Sequence, residues 1–535
     1  MKYDTENLKG DISGGLVAGI IALPLALAFG VQSGLGAAAG LYGAIAVGVF
    51  AAAFGGTRTQ ASGPTGPMTV VSASIVVYAI EQTGSIEQGL GLILACFLAG
   101  GLFQIGLGFL GVGKYIRYFP YPVVSGFMSG VGLIIIFLQL WPLLGSASPK
   151  STIEVVTRIA EPLGALNVAA LGLGLLTLLV NWGFPKITTK VPSVLVALLV
   201  GTITAVVFGL DVPNIGDIPS GLPGLEVAAI FAVDPQYLGY ILQSGLTLAL
   251  LGAIDSLLTS VIADNLTKDR HDSRRELIGQ GIGNAVAAVF GGIPGAGATK
   301  GTVVNIKAGG RTRLSGVTHG LFQLAALLGL GTLASYIPLS MLAGLLISVG
   351  LAIIDYKGFR HLLRVPRADA VVMLVVLFAT VFGNLIYAVA AGVMLSSLLF
   401  MKKAGDLSEE RSRVEKLEPE EAWPDESPLA GRKSVYVKHL YGPLFFGFSS
   451  GFRDLAEKLP EEIETLIVRM ERVPYMDQSG LYSLEDALLQ LRQRGKEVVL
   501  TGVQPQPEDM LRSLGIIPEL ISEEQLRDSI EDFIG

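Results

Sequence analysis

Apolar runs long enough, or nearly long enough, to cross a bilayer begin near Gly14, Leu35, Met68, Leu90, Val123, Ala165, Val191, Leu238, Ile278, Thr302, Leu314, Ile337, Ala368 and Gly383. A helix needs roughly 20 such residues to cross the hydrocarbon core, so the pattern predicts about fourteen membrane segments, two of them short. After Lys403 the pattern changes. Residues 406–430 are charged and carry Pro419, Pro424 and Pro428, the composition of a solvated linker. Beyond it, alternating and continuous apolar runs predict strands at 434–440, 443–446, 465–470 and 497–502. Amphipathic periodicity predicts helices at 451–458, 480–494, 507–514 and 523–533. The chain is therefore expected to hold an all-α polytopic membrane domain over 1–403, a linker over 404–432 and a small α/β domain over 433–535.

Composition agrees with a membrane protein: 51% of residues are hydrophobic and only 16% charged, and the mean hydropathy is +0.59. The 68 glycines suit close helix packing and interrupted helices. The single cysteine, Cys96, excludes an intrachain disulfide and a Cys-based metal site, and the four histidines have no partner at metal-ligand spacing. Residues 1–10 are short and polar without a cleavage pattern, so the first apolar run reads as a retained span. Positive charge sorts by side. Loops after even-numbered spans hold Arg58; Lys114 and Arg117; Lys186 and Lys190; Lys268, Arg270, Arg274 and Arg275; Lys307, Arg311 and Arg313; Lys357, Arg360, Arg364 and Arg367; and Lys402 with Lys403. The opposite loops are poor in bases, except for Lys150 and Arg158, which sit near Glu154 and Glu161. The positive-inside rule then predicts both termini in the cytoplasm.

Three stretches carry candidate chemistry. Asp255 lies near the middle of the apolar run 246–263, where an aspartate costs about 2.5–3.5 kcal/mol and so faces a cavity, a partner or an ion. Thr259 falls one turn on, on the same face, and the two side chains offer oxygens to a small hard cation. The alternative is a carboxylate tied off by a neighbouring helix. The two short segments, 61–71 and 291–304, are each a Gly/Pro-rich lead-in followed by a half-length apolar run, the third span of each half. Interrupted segments at matching positions point to a midplane site between inverted repeats, here of seven spans each. Their positive helix ends would converge on one spot suited to an anion. In the first span, Pro24 frees a carbonyl, while Ala26 and Ala28 leave room beside Phe29 for a ligand. Ser479, between a strand and a helix, reads as an N-cap and as a candidate phosphate acceptor. No nucleophile–base pair, metal cluster or nucleotide loop speaks for an enzyme.

The segments Leu23-Pro24-Leu25-Ala26-Leu27-Ala28-Phe29-Gly30, Gly63-Pro64-Thr65-Gly66-Pro67-Met68-Thr69, Asp255-Ser256-Leu257-Leu258-Thr259-Ser260-Val261-Ile262-Ala263-Asp264, Gly279-Gln280-Gly281-Ile282-Gly283-Asn284 and Gly295-Ala296-Gly297-Ala298-Thr299 resemble the SulP family of anion transporters. Within that family the chain is most similar to the BicA-type sodium-dependent bicarbonate transporters. The C-terminal region resembles a STAS domain with its D-x-S-G turn, here Asp477-Gln478-Ser479-Gly480. The resemblance implies a seven-plus-seven inverted repeat with a UraA-like core and gate, and a homodimer joined through the STAS and membrane domains. It implies sodium held by Asp255, Thr259, Gly297, Ala298 and Thr299. The anion, bicarbonate in that subtype, would meet Thr65, Gly66, Met68, Thr69, Ala298, Thr299 and Lys300, with Ala26 and Phe29 as a wall. Many family members carry an arginine at the position aligned with Gly301; here Lys300 precedes it and the arginine is missing. The expected function is sodium-coupled bicarbonate symport across the plasma (inner) membrane, with no organic cofactor, no nucleic acid and the lipid bilayer as surroundings. The alternative is a proton-coupled or exchanging carrier of sulfate, chloride or a dicarboxylate, in which Asp255 takes a proton.

Overall fold

Each predicted apolar run forms a helix. In chain order they are α1 (Leu8–Gln32), α2 (Ala37–Phe54), α3 (Gly66–Thr83), α4 (Ile86–Phe109), α5 (Tyr121–Leu143), α6 (Val168–Gly183) and α7 (Ser193–Val207). The second series is α8 (Leu238–Thr267), α9 (Ser273–Val289), α10 (Thr299–Lys307), α11 (Arg313–Ala334), α12 (Leu339–Ile353), α13 (Arg367–Phe382) and α14 (Leu385–Arg411). The computed structural model describes residues 7–114, 119–149, 151–188, 191–216, 221, 223–383, 385–411, 414–415, 426–429, 434–445 and 463–534. Arg117, Lys150 and Lys190 lie outside those residues. The chain divides into two compact units, 1–393 and 394–535.

Seven of the helices among the described residues combine span length with span-like apolarity. Of the two segments expected to be short, α10 has nine residues but α3 has eighteen. No breaker interrupts α3 until Gly84, whose φ of 93° suits only glycine and whose N–H closes on Ile80. Only α10 is a half-span.

Packing sorts the helices of the first unit into two bodies. In one, the core, α4 lies on α8 and α9, α11 lies on α1 and α2, and α10 lies between α1 and α8. In the other, the gate, α5 lies on α12 and α13, and α6 lies on α12 and α7. Exchanging a helix for the one seven places away returns the main helix pairings: α1 on α11 becomes α8 on α4, α2 on α11 becomes α9 on α4, and α5 on α13 becomes α12 on α6. This is an inverted repeat, because seven spans reverse the orientation of the second half. The pairs α2–α9 and α5–α12 map onto themselves. Where α5 crosses α12, a Cβ on Gly132 would stand 2.7 Å from the Gly350 carbonyl oxygen, and one on Gly350 the same 2.7 Å from that of Gly132. Backbone touches backbone there, as small residues allow between membrane helices.

The second unit is a five-stranded sheet of β3 (Val414–Glu415), β4 (Val435–Tyr441), β5 (Thr465–Arg472), β6 (Glu497–Thr501) and β7 (Leu526–Arg527), in that order. All neighbours are parallel except β3 with β4. The helices α15 (Gln478–Gln493) and α16 (Pro505–Ser513) bury Leu484, Leu488 and Leu511 with Leu466, Val468 and Leu500 of the sheet. Four details differ from expectation. The helix predicted at 523–533 breaks: Ser522 and Gln525 close a capping box around a single turn, and Leu526–Arg527 then extend to pair with Leu500–Thr501. Of the predicted strand 443–446, Leu444 alone bridges, to Met476, and residue 446 lies outside the described residues. In the stretch expected as a linker, Val414–Glu415 joins the sheet as β3. The N-cap of α15 is Asp477, whose Oδ1 accepts the Gly480 N–H at 2.7 Å, because its side chain is placed to reach back over the first turn; Ser479 stands exposed inside that turn. The predicted helix 451–458 lies outside the described residues.

Candidate ion and anion site

The two Gly/Pro-rich lead-ins meet. β1 (Ser62–Gly63) pairs antiparallel with β2 (Ala296–Gly297), Ser62 opposite Gly297 and Gly63 opposite Ala296. A Cβ at Gly295 would stand 2.2 Å from the Gly63 carbonyl oxygen, so only glycine lets the two strands approach this closely. Ala298 N–H donates to the Ala61 carbonyl at 2.8 Å, and Ala61 N–H donates to Thr302 Oγ1 at 3.1 Å. Backbone at membrane depth is tolerated when its polar groups are satisfied this way. The helices α3 and α10 start from opposite ends of this ribbon.

Helix α8 runs alongside. Thr259 donates to the Gly297 carbonyl at 2.9 Å and lies 2.8 Å from the Thr299 hydroxyl, and Ser256 Oγ accepts the Gly297 N–H at 3.1 Å. One turn before Thr259, Asp255 is buried, and its Oδ2 has no hydrogen-bond partner among the described residues. The hydroxyl of Thr65 neighbours this carboxylate without a properly formed hydrogen bond, and it too has no partner; neither does that of buried Thr69. Thr259, Gly297 and Thr299 thus come together, with Ala298 between the last two in the chain, and Asp255 lies one turn before Thr259 on the same helix. An orphaned buried carboxylate oxygen beside hydroxyl and carbonyl oxygens fits a small hard cation.

The first turn of α3 faces the gate. A Cβ at Gly66 would lie 2.7 Å from Ile135 of α5, 3.2 Å from Ile353 of α12 and 4.0 Å from Phe29 of α1. Gly66 and Phe29 therefore belong to one neighbourhood at the seam of core and gate, whereas buried Ala26 sets its carbonyl against Gly40 of α2. Met68 does not: its side chain is buried toward α4 and α8, its Cε 3.4 Å from where a Cβ on Gly252 would be, beside Gln104. Thr299 and Lys300 are exposed on the first turn of α10, and Lys300 makes no hydrogen bond or ion pair among the described residues.

A second buried carboxylate, Glu276 of α9, escaped the sequence reading. Its Oε2 accepts the backbone N–H groups of Gly56 (2.9 Å) and Thr57 (2.7 Å), and its Oε1 accepts the side-chain amides of Gln60 and Gln280, each at 2.9 Å. Gln280 reaches on to Ser62 Oγ at 2.7 Å, holding β1. One turn later Asn284 accepts the Gly295 N–H at 2.8 Å, holding β2, and donates to Gln104 at 2.8 Å. Glu276, Gln280 and Asn284 at i, i+4 and i+8 form a polar stripe along an otherwise apolar span, a legible signal once the stripe is counted.

Comparison with known proteins decides the family. The sulfate permease family model matches residues 8–376, and the STAS domain model matches residues 427–533. The chain belongs to the sulfate permease family. It is 39% identical over 527 residues to the bicarbonate transporter BicA of Picosynechococcus sp., covering 96% of this chain and 92% of that protein. It is likewise 39% identical to BicA of Synechocystis sp., covering 100% of this chain and 95% of that one. The solved transmembrane domain of a cyanobacterial bicarbonate transporter BicA matches with a TM-score of 0.66 at 43% identity, over 74% of this chain and 98% of that one. This sulfate permease family member is an anion transporter of the membrane and not an enzyme, with a UraA-like core and gate and a C-terminal STAS domain.

Proposed function

We propose that this transporter carries bicarbonate into the cell together with sodium. One observation carries the coupling: Asp255 Oδ2 is buried without a hydrogen-bond partner among the described residues, one helical turn before Thr259, whose hydroxyl meets the Gly297 and Thr299 oxygens. A lone carboxylate in low dielectric is strongly unfavourable, so the group calls for a cation. Sodium between those oxygens offsets the charge and adds positive field next to the starts of α3 and α10, where the anion sits against Phe29 and Ala26. Each ion then strengthens binding of the other by the same factor. Lys300, without a partner of its own, supplies a point charge where relatives use arginine. The bicarbonate assignment rests on the identity with the two BicA proteins over nearly their whole length.

Transport follows by rocking of the core along the gate, which exposes the seam to one face of the membrane and then the other. Both termini face the cytoplasm, the membrane is the plasma membrane and the working unit is a homodimer. Residues 1–403 carry transport, 404–432 lead out of the membrane, and 433–535 form the STAS domain, on which exposed Ser479 is open to phosphorylation.

The test is uptake of labelled bicarbonate into vesicles holding the purified protein, with and without an inward sodium gradient, beside an Asp255→Asn variant and a sulfate competition. Sodium-stimulated uptake that the variant loses supports the proposal. Uptake indifferent to sodium but driven by a pH gradient assigns the Asp255 oxygen to a proton, and effective competition by sulfate assigns the chain to the family's sulfate carriers.

A further inference from the structure

Between core and gate, on the side of the membrane away from the Lys/Arg-rich loops, lies a cavity of about 480 Å³. The core contributes Gln32 at the end of α1 and the second half of α3, and the gate contributes Gln139 of α5 and Ser340 of α12. No charged side chain lines it among the described residues. Both amide atoms of Gln32, Oε1 and Nε2, are buried and have no hydrogen-bond partner among the described residues. The hydroxyl of Ser340, a residue only 2% exposed, has none either. Buried polar atoms left unpaired in this way are uncommon, and each calls for a ligand or water. Here they line one chamber from both sides of the moving seam. Phe29, one turn before Gln32 on α1, lies 4.0 Å from where a Cβ on Gly66 would stand, at the start of α3.

We infer that this chamber is an outer waiting site for the transported anion, and that the Gln32 amide with the Ser340 hydroxyl selects bicarbonate by its O–H group. The inference rests on the reading of bicarbonate as substrate. A bicarbonate ion carries one hydroxyl donor and acceptor oxygens, and a primary amide is its complement: the N–H donates to a carboxylate oxygen while the C=O accepts the hydroxyl. Sulfate, nitrate and chloride at neutral pH only accept. Each of them leaves the amide oxygen unpaired and turned toward negative charge. With no charged side chain among its described lining residues, the chamber discriminates by hydrogen-bond sense, and the ion passes on when the seam opens.

Nitrate is the sharp probe, being a planar monoanion of bicarbonate's shape without the hydroxyl. The experiment measures KM for external labelled bicarbonate and the inhibition constant of external nitrate, in oriented vesicles holding wild-type protein, Gln32→Met or Ser340→Ala. Methionine keeps the length of Gln32 and removes both polar atoms. One neutral hydrogen bond corresponds to about a 2- to 10-fold change in binding. Gln32→Met should raise KM for bicarbonate by about that factor at a preserved maximal rate, and lower the ratio of nitrate constant to KM by a similar factor. Ser340→Ala should do the same to a smaller degree, and it carries the test if Gln32→Met does not elute as a folded species. KM and ratio both unchanged, or a lower maximal rate with the ratio intact, overturn the waiting site while leaving bicarbonate transport standing. Wild-type vesicles that take up no bicarbonate overturn both.

Discussion

Two buried carboxylates of the core, Asp255 and Glu276, should respond oppositely to removal. Glu276→Ala deletes the acceptor for four donors. The Gln60 and Gln280 amides can turn: Gln60 has Ser260 Oγ within 3.0 Å and Gln280 has Ser62, so part of that loss is recoverable. The N–H groups of Gly56 and Thr57 are fixed by the backbone and face only Glu276. Each buried donor left unpaired costs about 1–3 kcal/mol, so these two alone amount to roughly 4 kcal/mol. Asp255→Asn removes a charge whose Oδ2 accepts nothing. An unpaired buried charge is itself destabilising, so in sodium-free buffer the variant should match or exceed wild type in stability while losing transport. The assay is heating of the solubilised full chain and measuring the fraction that still elutes as a single species. Glu276→Ala should lose several degrees of apparent melting temperature and Asp255→Asn none. A Glu276→Ala protein that melts with wild type, or an Asp255→Asn protein that falls as far as Glu276→Ala, would refute the division into a carboxylate that builds and one that binds.

Three other outcomes are expected. Sodium at about ten times its dissociation constant should stabilise wild type by roughly 1.4 kcal/mol and leave Asp255→Asn and Thr259→Val unmoved, read as the melting shift between sodium and choline buffers. Gly132→Val places carbon against the Gly350 carbonyl, less than 3 Å away, and should lower both stability and transport, whereas Gly172→Val, where a Cβ meets nothing within 4 Å, should be neutral in the same assays. In the second unit, the Arg512 guanidinium holds the Glu523 carboxyl below the usual carboxylate range. A depressed carboxylate contributes stability above its unfolded value and loses it as pH falls through the folded one. Arg512→Ala should therefore melt slightly below wild type at neutral pH, the gap closing as acid protonates the Glu523 carboxyl.

Much of this was legible in the sequence because bilayers impose long apolar runs, and every such run became a helix. The approach of Thr259 to Gly297 and Thr299, one turn after Asp255, is also legible, since a carboxylate and two glycine-rich breaks stand out against apolar surroundings. Three things were not. The length of α3 is hidden because a Gly/Pro-rich start says nothing about where a helix stops; Gly84 decides that. The family resemblance groups Met68 with the anion residues, yet on a helix adjacent residues point apart, and its side chain packs into the core. The role of Glu276 needed partners from the loop at 56–60, more than two hundred residues away in the chain, which no local pattern predicts. In the second unit, β7 was hidden inside a helical pattern because two residues paired to β6 outweigh local periodicity.

The ribbon of β1 and β2 also fixes a timetable for biogenesis. Ala61 and its partner Thr302 are 241 residues apart in the chain. At about 5–20 residues per second, a ribosome delivers the second strand roughly 10–50 seconds after the first. Throughout that interval the Ser62–Gly63 backbone has no mate, and hydrocarbon offers it none. The nascent first half must therefore be sheltered, by the insertion machinery or by staying shallow, until the second half emerges. A truncated product ending before Ala296 would be a client of quality control rather than a small transporter.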